Sequence, residues 1–114
     1  IAVSNMARAK KFYEDLLGFE MKPEPMEGGF EMVWFPADLS AKGIPGALMK
    51  GTGYTPGPTG TVVYFTCPDI DGTLAKAQEL GSKVCLPKKD IGQYGTIAWI
   101  SDSEGNLIAL HRAK

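Results

Sequence analysis

Two parts of the sequence repeat each other at an almost constant separation, and this repetition constrains the fold more than any other feature. Asn5-Met6 precedes one helical pattern, and Asp69-Ile70 precedes a second one 64 positions later. Gly18 follows the first pattern and Gly81 follows the second, 63 positions apart. A register broken by one residue is typical of an internal duplication, and a module of this size cannot bury a core alone. We therefore predict two modules that pack together.

An amphipathic helix opens each module. Apolar residues recur every three to four positions over residues 6–17 and again over residues 70–80, with charged residues between them. Asn5 and Asp69 are of the residue types that cap helix starts, and Gly18 and Gly81 are of the type that ends helices. The pattern predicts two helices, each with its apolar side on the outer face of a sheet.

Strands account for most of the remaining sequence. Runs of β-branched and aromatic residues predict strands over residues 19–21, 30–35, 47–49, 61–67, 83–86, 96–101 and 107–111. Residues 1–3 resemble the end of a further strand, and the charged residues 88–90 are expected at the crest of a hairpin loop. The predicted fold is α+β, with two β-α-β-β-β modules and mixed sheets. We predict a single domain over residues 1–114, as module 1–50, a Gly/Pro-rich linker 51–60 and module 61–114.

Composition limits the partners and the setting. The chain has 114 residues, and its 12 Lys+Arg against 13 Asp+Glu give a net charge of −1. That balance lacks the basic excess that a nucleic-acid backbone requires, so no nucleic-acid partner is expected. No apolar run reaches the length of a membrane span, which predicts no membrane partner. Cys67 and Cys85 have neither metal-type spacing nor the number for a disulfide framework, which favours a cytoplasmic protein.

At this point a family resemblance carries more information than composition. Its motifs are Val3-Ser4-Asn5-Met6, residues 9–19 (Ala-Lys-Lys-Phe-Tyr-Glu-Asp-Leu-Leu-Gly-Phe), Asp69-Ile70 with Leu80-Gly81, and the acidic turn at residues 102–106 that leads into Leu110-His111. Together they resemble the vicinal-oxygen-chelate superfamily of glyoxalase I, extradiol dioxygenases and the fosfomycin and bleomycin resistance proteins. The resemblance implies curved sheets that face each other around a cup (the glyoxalase/bleomycin resistance/dioxygenase fold), a small-molecule ligand and a homodimer. Residues 51–60 are long enough for the modules to pair within one chain or between two chains.

The resemblance also implies four strand positions at which metal-using members place His or Glu ligands. The first falls before Val3, the second in residues 44–49, the third near Val62 and the fourth at Ala109. The last three offer no imidazole or carboxylate. A divalent ion needs several such donors together, so we predict no metal site and no cofactor.

Candidate ligand-binding residues follow from strand alternation around these positions. Tyr64 and Thr66 share a strand face with Val62, and His111 shares one with Ala109. His111 is either a histidine at the edge of the solvent, a polar anchor for an acidic ligand, or a general base. Tyr64 suits either a pocket wall or a core. Trp34 or Phe35 must face inward, and we take Trp34 as the candidate; catalytic residues stay unknown.

Two classes of function are consistent with these residues. The first is a glyoxalase-like protein that binds a small, partly apolar molecule in a metal-free cup, similar in principle to the bleomycin resistance proteins. The alternative is a metal-dependent lyase or dioxygenase of the glyoxalase I or extradiol type. Its unconventional site would be built on His111 and residues of another subunit. The vacant ligand positions favour the first class and leave the identity of the ligand open.

Overall fold

The computed structural model describes residues 1–38, 40, 42 and 45–114, which form two compact units, residues 1–56 and 57–114. The N-terminal unit contains α1 (Met6–Leu17), β1 (Lys22–Glu24), β2 (Glu31–Trp34) and β3 (Ala47–Lys50). The C-terminal unit contains β4 (Val63–Thr66), α2 (Ile70–Glu79), β5 (Val84–Asp90), a one-turn 3₁₀ helix (Gly92–Tyr94), β6 (Thr96–Ser101) and β7 (Leu107–Arg112). The fold is α+β, with two helices and two curved sheets, as the sequence predicts.

Helix α1 begins and ends at the residues that its sequence indicates. Asn5 Oδ1 accepts a hydrogen bond from the Arg8 backbone N–H at 3.0 Å. Gly18 adopts the left-handed conformation with φ of 73°, and its N–H donates to the Glu14 carbonyl at the C-terminus. The apolar side of the helix is buried along its whole length, as Met6, Ala9, Phe12, Tyr13 and Leu16. This stripe attaches α1 to β2 and β3.

The strand predicted over residues 19–21 is wrong, since the first strand of this sheet begins at Lys22. The reason is a side-chain contact from α1. The Met21 backbone N–H donates to Glu14 Oε2 at 2.8 Å, and the Glu14 carboxylate also accepts from Lys10 Nζ at 3.1 Å. Because the Met21 backbone N–H donates to a side chain of α1 and not to a neighbouring strand, the segment after Gly18 runs along α1 before β1 starts.

These contacts make the acid-side stability of the protein depend on Glu14. The hydrogen bond from Met21, and then that from Lys10, lower the pKa of the Glu14 carboxyl below its ordinary value of 4.5. Glu14 therefore stabilises the fold above that pH, and the contribution is lost as the pH falls through the folded-state pKa. We expect Glu14→Gln to lower the urea midpoint at neutral pH and to flatten its decline in acid. Lys10→Met keeps the hydrogen bond from Met21 to Glu14 and should change the urea midpoint less. If the urea midpoint of Glu14→Gln falls with acid as steeply as that of the unchanged protein, Glu14 is not the group responsible.

The first sheet has the order β1-β2-β3 and is antiparallel. Ala2 pairs with Met49 of β3 in the parallel sense, and Val3 N–H donates to the Met49 carbonyl at 2.9 Å. Residues 1–3 thus lie along β3 through one bridge pair, which agrees with the strand character that the sequence predicts for them. Val33 and Leu48 are paired and buried on the face that α1 covers.

The second sheet repeats this arrangement with the order β4-β7-β6-β5. Strand β4 runs parallel to β7, as Ala2 does to Met49, and the remaining pairs are antiparallel. The side chains under α2 form the core of this unit, namely Ala98, Ile100, Ile108 and Leu110. The matching connectivity of the two units agrees with the duplication that the sequence indicates.

Strand β5 differs from its prediction and extends through the charged residues 88–90, which were expected in a loop. Its register against β6 slips between Val84 and Leu86, and again between Leu86 and Lys89. Pro87 lies inside the second slip, where the absence of a backbone N–H favours a β-bulge. The extra residue turns Lys88 toward α2, where its Nζ pairs with Asp71 Oδ1 at 2.7 Å. Lys89 therefore projects from the opposite face.

Within the described part of the chain, the structure contains no helix with the length and hydropathy of a membrane span.

Candidate ligand-binding site

The face of the second sheet that lies away from α2 carries two rows of paired residues, and we call it the open face. Residues paired across neighbouring strands project from the same side of a sheet. The first row crosses β4, β7, β6 and β5 as Tyr64, Ala109, Trp99 and Leu86. The second row crosses the same strands as Thr66, His111, Ile97 and Lys89. One row is thus mostly aromatic and aliphatic, and the other is mostly polar.

A hydrogen bond between two aromatic side chains organises the first row. Trp99 Nε1–H donates to the Tyr64 hydroxyl oxygen at 3.0 Å. The two side chains meet above Ala109, which lies between them in the register and is 0% exposed. Tyr64 itself stays 47% exposed. The small methyl group of Ala109 leaves room for both rings, and the Tyr64 hydroxyl keeps a hydrogen that it can donate to a ligand.

His111 is tied to the short 3₁₀ helix beside the second row. Its Nε2 lies 2.6 Å from the Tyr94 carbonyl oxygen. A carbonyl only accepts, so Nε2 carries the hydrogen of this bond, and Nδ1 is left to accept or, once protonated, to donate. The Tyr94 side chain is 67% exposed. His111 is half-buried and holds the Gly92–Tyr94 turn through its Nε2 atom.

The structure brings most of the sequence-based candidates together on the open face. Tyr64, Thr66, Ala109 and His111 lie in adjacent register positions. Val62 is half-buried. It has no paired position in the sheet because β4 begins at the next residue. Trp34 belongs to the N-terminal unit.

Trp34 lines a separate groove of about 500 Å³ in the N-terminal unit. The groove is lined by Glu20, Lys22, Pro23, Glu24, Trp34, Phe35, Pro36, Ala37 and Pro45. The Phe35 ring packs edge-on against buried Tyr13 of α1 at 5.5 Å, which places it with the core. Trp34, the next residue along the strand, therefore takes the sheet face away from α1, while Phe35 also reaches the wall of the groove.

The sequence-based candidates left out four residues of the open face, namely Leu86, Lys89, Ile97 and Trp99. The orientation of Trp99 depends on its pairing with Ala109, which strand alternation alone does not give. Lys89 owes its orientation to the bulge at Pro87, and without the bulge Lys88 would share the face of Leu86. A proline inside a strand-like run was the signal available for this bulge.

The residues at the three strand positions considered for metal ligands do not fit a metal ion. Ile44 lies outside the described residues, and the adjoining strand β3 reads Ala-Leu-Met-Lys. Val62 is aliphatic, and Ala109 is enclosed beneath Tyr64 and Trp99. Across residues 1–38, 40, 42 and 45–114, no three His, Cys, Asp or Glu side chains come together as a metal-binding group.

Comparison with known proteins gives one family and several relatives. The model of the Glyoxalase/Bleomycin resistance protein/Dioxygenase superfamily matches residues 1–110. Proteins named "Putative glyoxylase CFP32" from Mycobacterium bovis and Mycobacterium tuberculosis are 28% identical over 114 residues, 99% of this chain and 43% of theirs. The chain thus spans less than half the length of these curated relatives.

Solved structures agree with the family. The antibiotic binding protein TnmS3 from Streptomyces sp. CB03234 is 28% identical, with a TM-score of 0.71 over 100% of this chain and 91% of its own. The fosfomycin resistance protein FosX from Listeria monocytogenes is 14% identical, with a TM-score of 0.70 over 100% of this chain and 88% of its own. The trypanothione-dependent glyoxalase I of Leishmania major is 19% identical, with a TM-score of 0.70 over 98% of this chain and 81% of its own. The likeness to FosX and to glyoxalase I shows that these two proteins share the fold of this chain.

Proposed function

Since the chain belongs to the Glyoxalase/Bleomycin resistance protein/Dioxygenase superfamily, we propose that it binds a small, partly apolar molecule on the open face and holds it without a metal ion. The observation that carries the proposal is the Tyr64–Trp99 pair above Ala109. A small-molecule site combines apolar and aromatic surface with a few placed polar groups. The first row supplies the surface, while the Tyr64 hydroxyl, Thr66 and His111 supply the polar groups.

The aromatic pair suits a flat ligand because its geometry is set before binding. The indole N–H is satisfied by the Tyr64 hydroxyl, so neither side chain has to break a contact to meet a ligand. A further aromatic ring placed against such a pair adds about 0.5–1.5 kcal/mol beyond the area it buries. The half-exposed Tyr64 ring presents this surface to solvent.

The relatives support a binding role. TnmS3, at 28% identity, is described as an antibiotic binding protein. The CFP32 proteins carry a glyoxylase name instead, and they are more than twice as long as this chain. We propose that this chain resembles the former in function. A homodimer, which the family resemblance implies, and a cytoplasmic location, which the cysteine usage favours, are further proposals.

The two tryptophans allow a direct test by nuclear magnetic resonance. Each gives one indole N–H signal, and Trp34→Phe assigns them. We expect 2-naphthamide, a flat neutral probe, to move the Trp99 signal. Tyr64→Phe removes the hydroxyl and should weaken binding about fivefold, the loss of roughly one hydrogen bond. Tyr94→Phe is the matched control, because His111 contacts the backbone carbonyl of Tyr94 and not its hydroxyl.

The outcomes separate the alternatives. A probe that moves the Trp34 signal alone assigns the site to the groove of the N-terminal unit. Failure of 2-naphthamide to move the Trp99 signal contradicts the open-face site. Stoichiometric zinc, nickel or iron that survives dialysis of the same sample contradicts the metal-free form and favours the lyase or dioxygenase alternative.

A further inference from the structure

We propose that the ligand of the open face is an aromatic carboxylate, and that the Lys89 ammonium pairs with its anionic group. This inference rests on the proposed function and adds the chemical class of the ligand. Three observations support it. Lys89 lies near Trp99, it is the one cation of the two rows, and the neighbouring Lys88 is paired with Asp71 on the other face.

The bulge at Pro87 is what places a cation beside the aromatic row. Leu86 pairs with Trp99 and Lys89 pairs with Ile97, so three steps along β5 match two along β6. In a regular strand, residues three apart face opposite sides. The extra residue puts Leu86 and Lys89 on the same side instead. Lys89 is then a diagonal neighbour of Trp99, at a Cα separation of roughly 7–8 Å.

That separation matches the size of an aromatic acid. A lysine side chain spans much of the gap on its flexible four-carbon stem. A ring lying on Tyr64 and Trp99 would therefore direct a carboxyl substituent toward the second row. There the Lys89 ammonium and the Thr66 hydroxyl are the groups able to donate to it.

The charge of the open face favours an anion. Its two rows contain one cation, the Lys89 ammonium, and no acidic residue. The nearest acid along the strand, Asp90, accepts a hydrogen bond from the Gly92 N–H at 2.7 Å. Lys89 is exposed and makes no ion pair with the described residues, whereas Lys88 is paired with Asp71. The two adjacent lysines thus differ in face and in partner.

The test compares two probes of nearly equal shape and two variants of equal charge. Calorimetric titration measures the Kd of 2-naphthoate and of neutral 2-naphthamide, alongside the Trp99 indole signal. We expect the carboxylate to bind about tenfold tighter than the amide, and Lys89→Gln to remove most of this difference, as a charge-assisted hydrogen bond would. Lys88→Gln should retain it. Circular dichroism checks that both variants stay folded.

Three other results would contradict the inference, each at a different step. If both probes move the Trp99 signal and bind equally, the anionic class is wrong and the proposed function stands. If Lys88→Gln weakens naphthoate as much as Lys89→Gln, the effect is general surface charge and the assignment of Lys89 is overturned. If neither probe moves the Trp99 signal, the proposed function fails together with this inference.

Discussion

Replacing Gly95 with alanine is expected to destabilise the protein by at least about 3 kcal/mol, since it combines a forbidden backbone conformation with a steric clash. Gly95 has φ of 104° and ψ of −134°, a region open to glycine and not to other residues. A Cβ at this position would overlap the backbone carbonyl oxygen of Arg112. Backbone cannot move aside as a flexible side chain can, so the turn or the end of β7 must shift.

Gly92→Ala separates the two causes. Gly92 also has a positive φ, of 71°, but open space surrounds its missing Cβ. It should cost about 1–2 kcal/mol, the penalty of the left-handed conformation alone. Urea unfolding of both variants gives the comparison. Equal losses in the two variants would show that the close approach of Gly95 to Arg112 adds nothing.

The same turn connects stability to the open face. Gly95 follows the Tyr94 carbonyl that His111 contacts, and the Ile91 N–H donates to the Gly95 carbonyl at 2.8 Å. A shift at Gly95 therefore moves the partner of His111. The glycine matters for the site without touching a ligand.

The helices were predictable because their signals are local. Asn5, Asp69, Gly18 and the apolar stripes act within one or two turns, and the structure uses them as caps and buried faces. The strand prediction for residues 19–21 was wrong because the Met21 backbone N–H donates to the side chain of Glu14 in α1. Strand β5 was underestimated because lysines and a proline at a sheet edge resemble a loop. The hydrogen-bonded pairing with β6 stabilises this strand, although its residues have a low intrinsic strand propensity.

The candidate site was predictable only in part for a similar reason. Alternation within one strand relates Tyr64 to Thr66 and Ala109 to His111. The contact between Tyr64 and Trp99 joins β4 to β6 across β7, and it depends on two registers at once. Lys89 depends on a bulge, which reverses the face that counting predicts. Contacts across several strands are global properties of the sheet, and a single sequence does not state them.

The acidic turn at residues 102–106 carries the second large prediction. The sequence indicates that Asp102 serves the local backbone, and the structure agrees. Asp102 is 6% exposed, and its Oδ1 accepts from the N–H groups of Glu104 and Asn106, each at 2.8 Å. Its Oδ2 accepts from Asn106 Nδ2 at 2.8 Å, and Asn106 Oδ1 in turn accepts from the Gly57 N–H. One carboxylate thus holds the connection between β6 and β7 and, through Asn106, the start of the unit.

Asp102→Ala is expected to cost about 3–5 kcal/mol, because it removes a buried carboxylate that accepts from two backbone N–H groups and from the Asn106 amide. Asp102→Asn keeps an oxygen for the two backbone donors but turns one amide group toward another, so we expect about half that loss. Ser103→Ala is the control within the same turn, since its hydroxyl contacts the half-buried Glu104 side chain. It should change stability by less than about 1 kcal/mol. Urea midpoints for the three variants measure these effects. A loss in Asp102→Ala no larger than that in Ser103→Ala would mean that water replaces the carboxylate, and the turn would then owe its shape to Gly105 and the strand pairing alone.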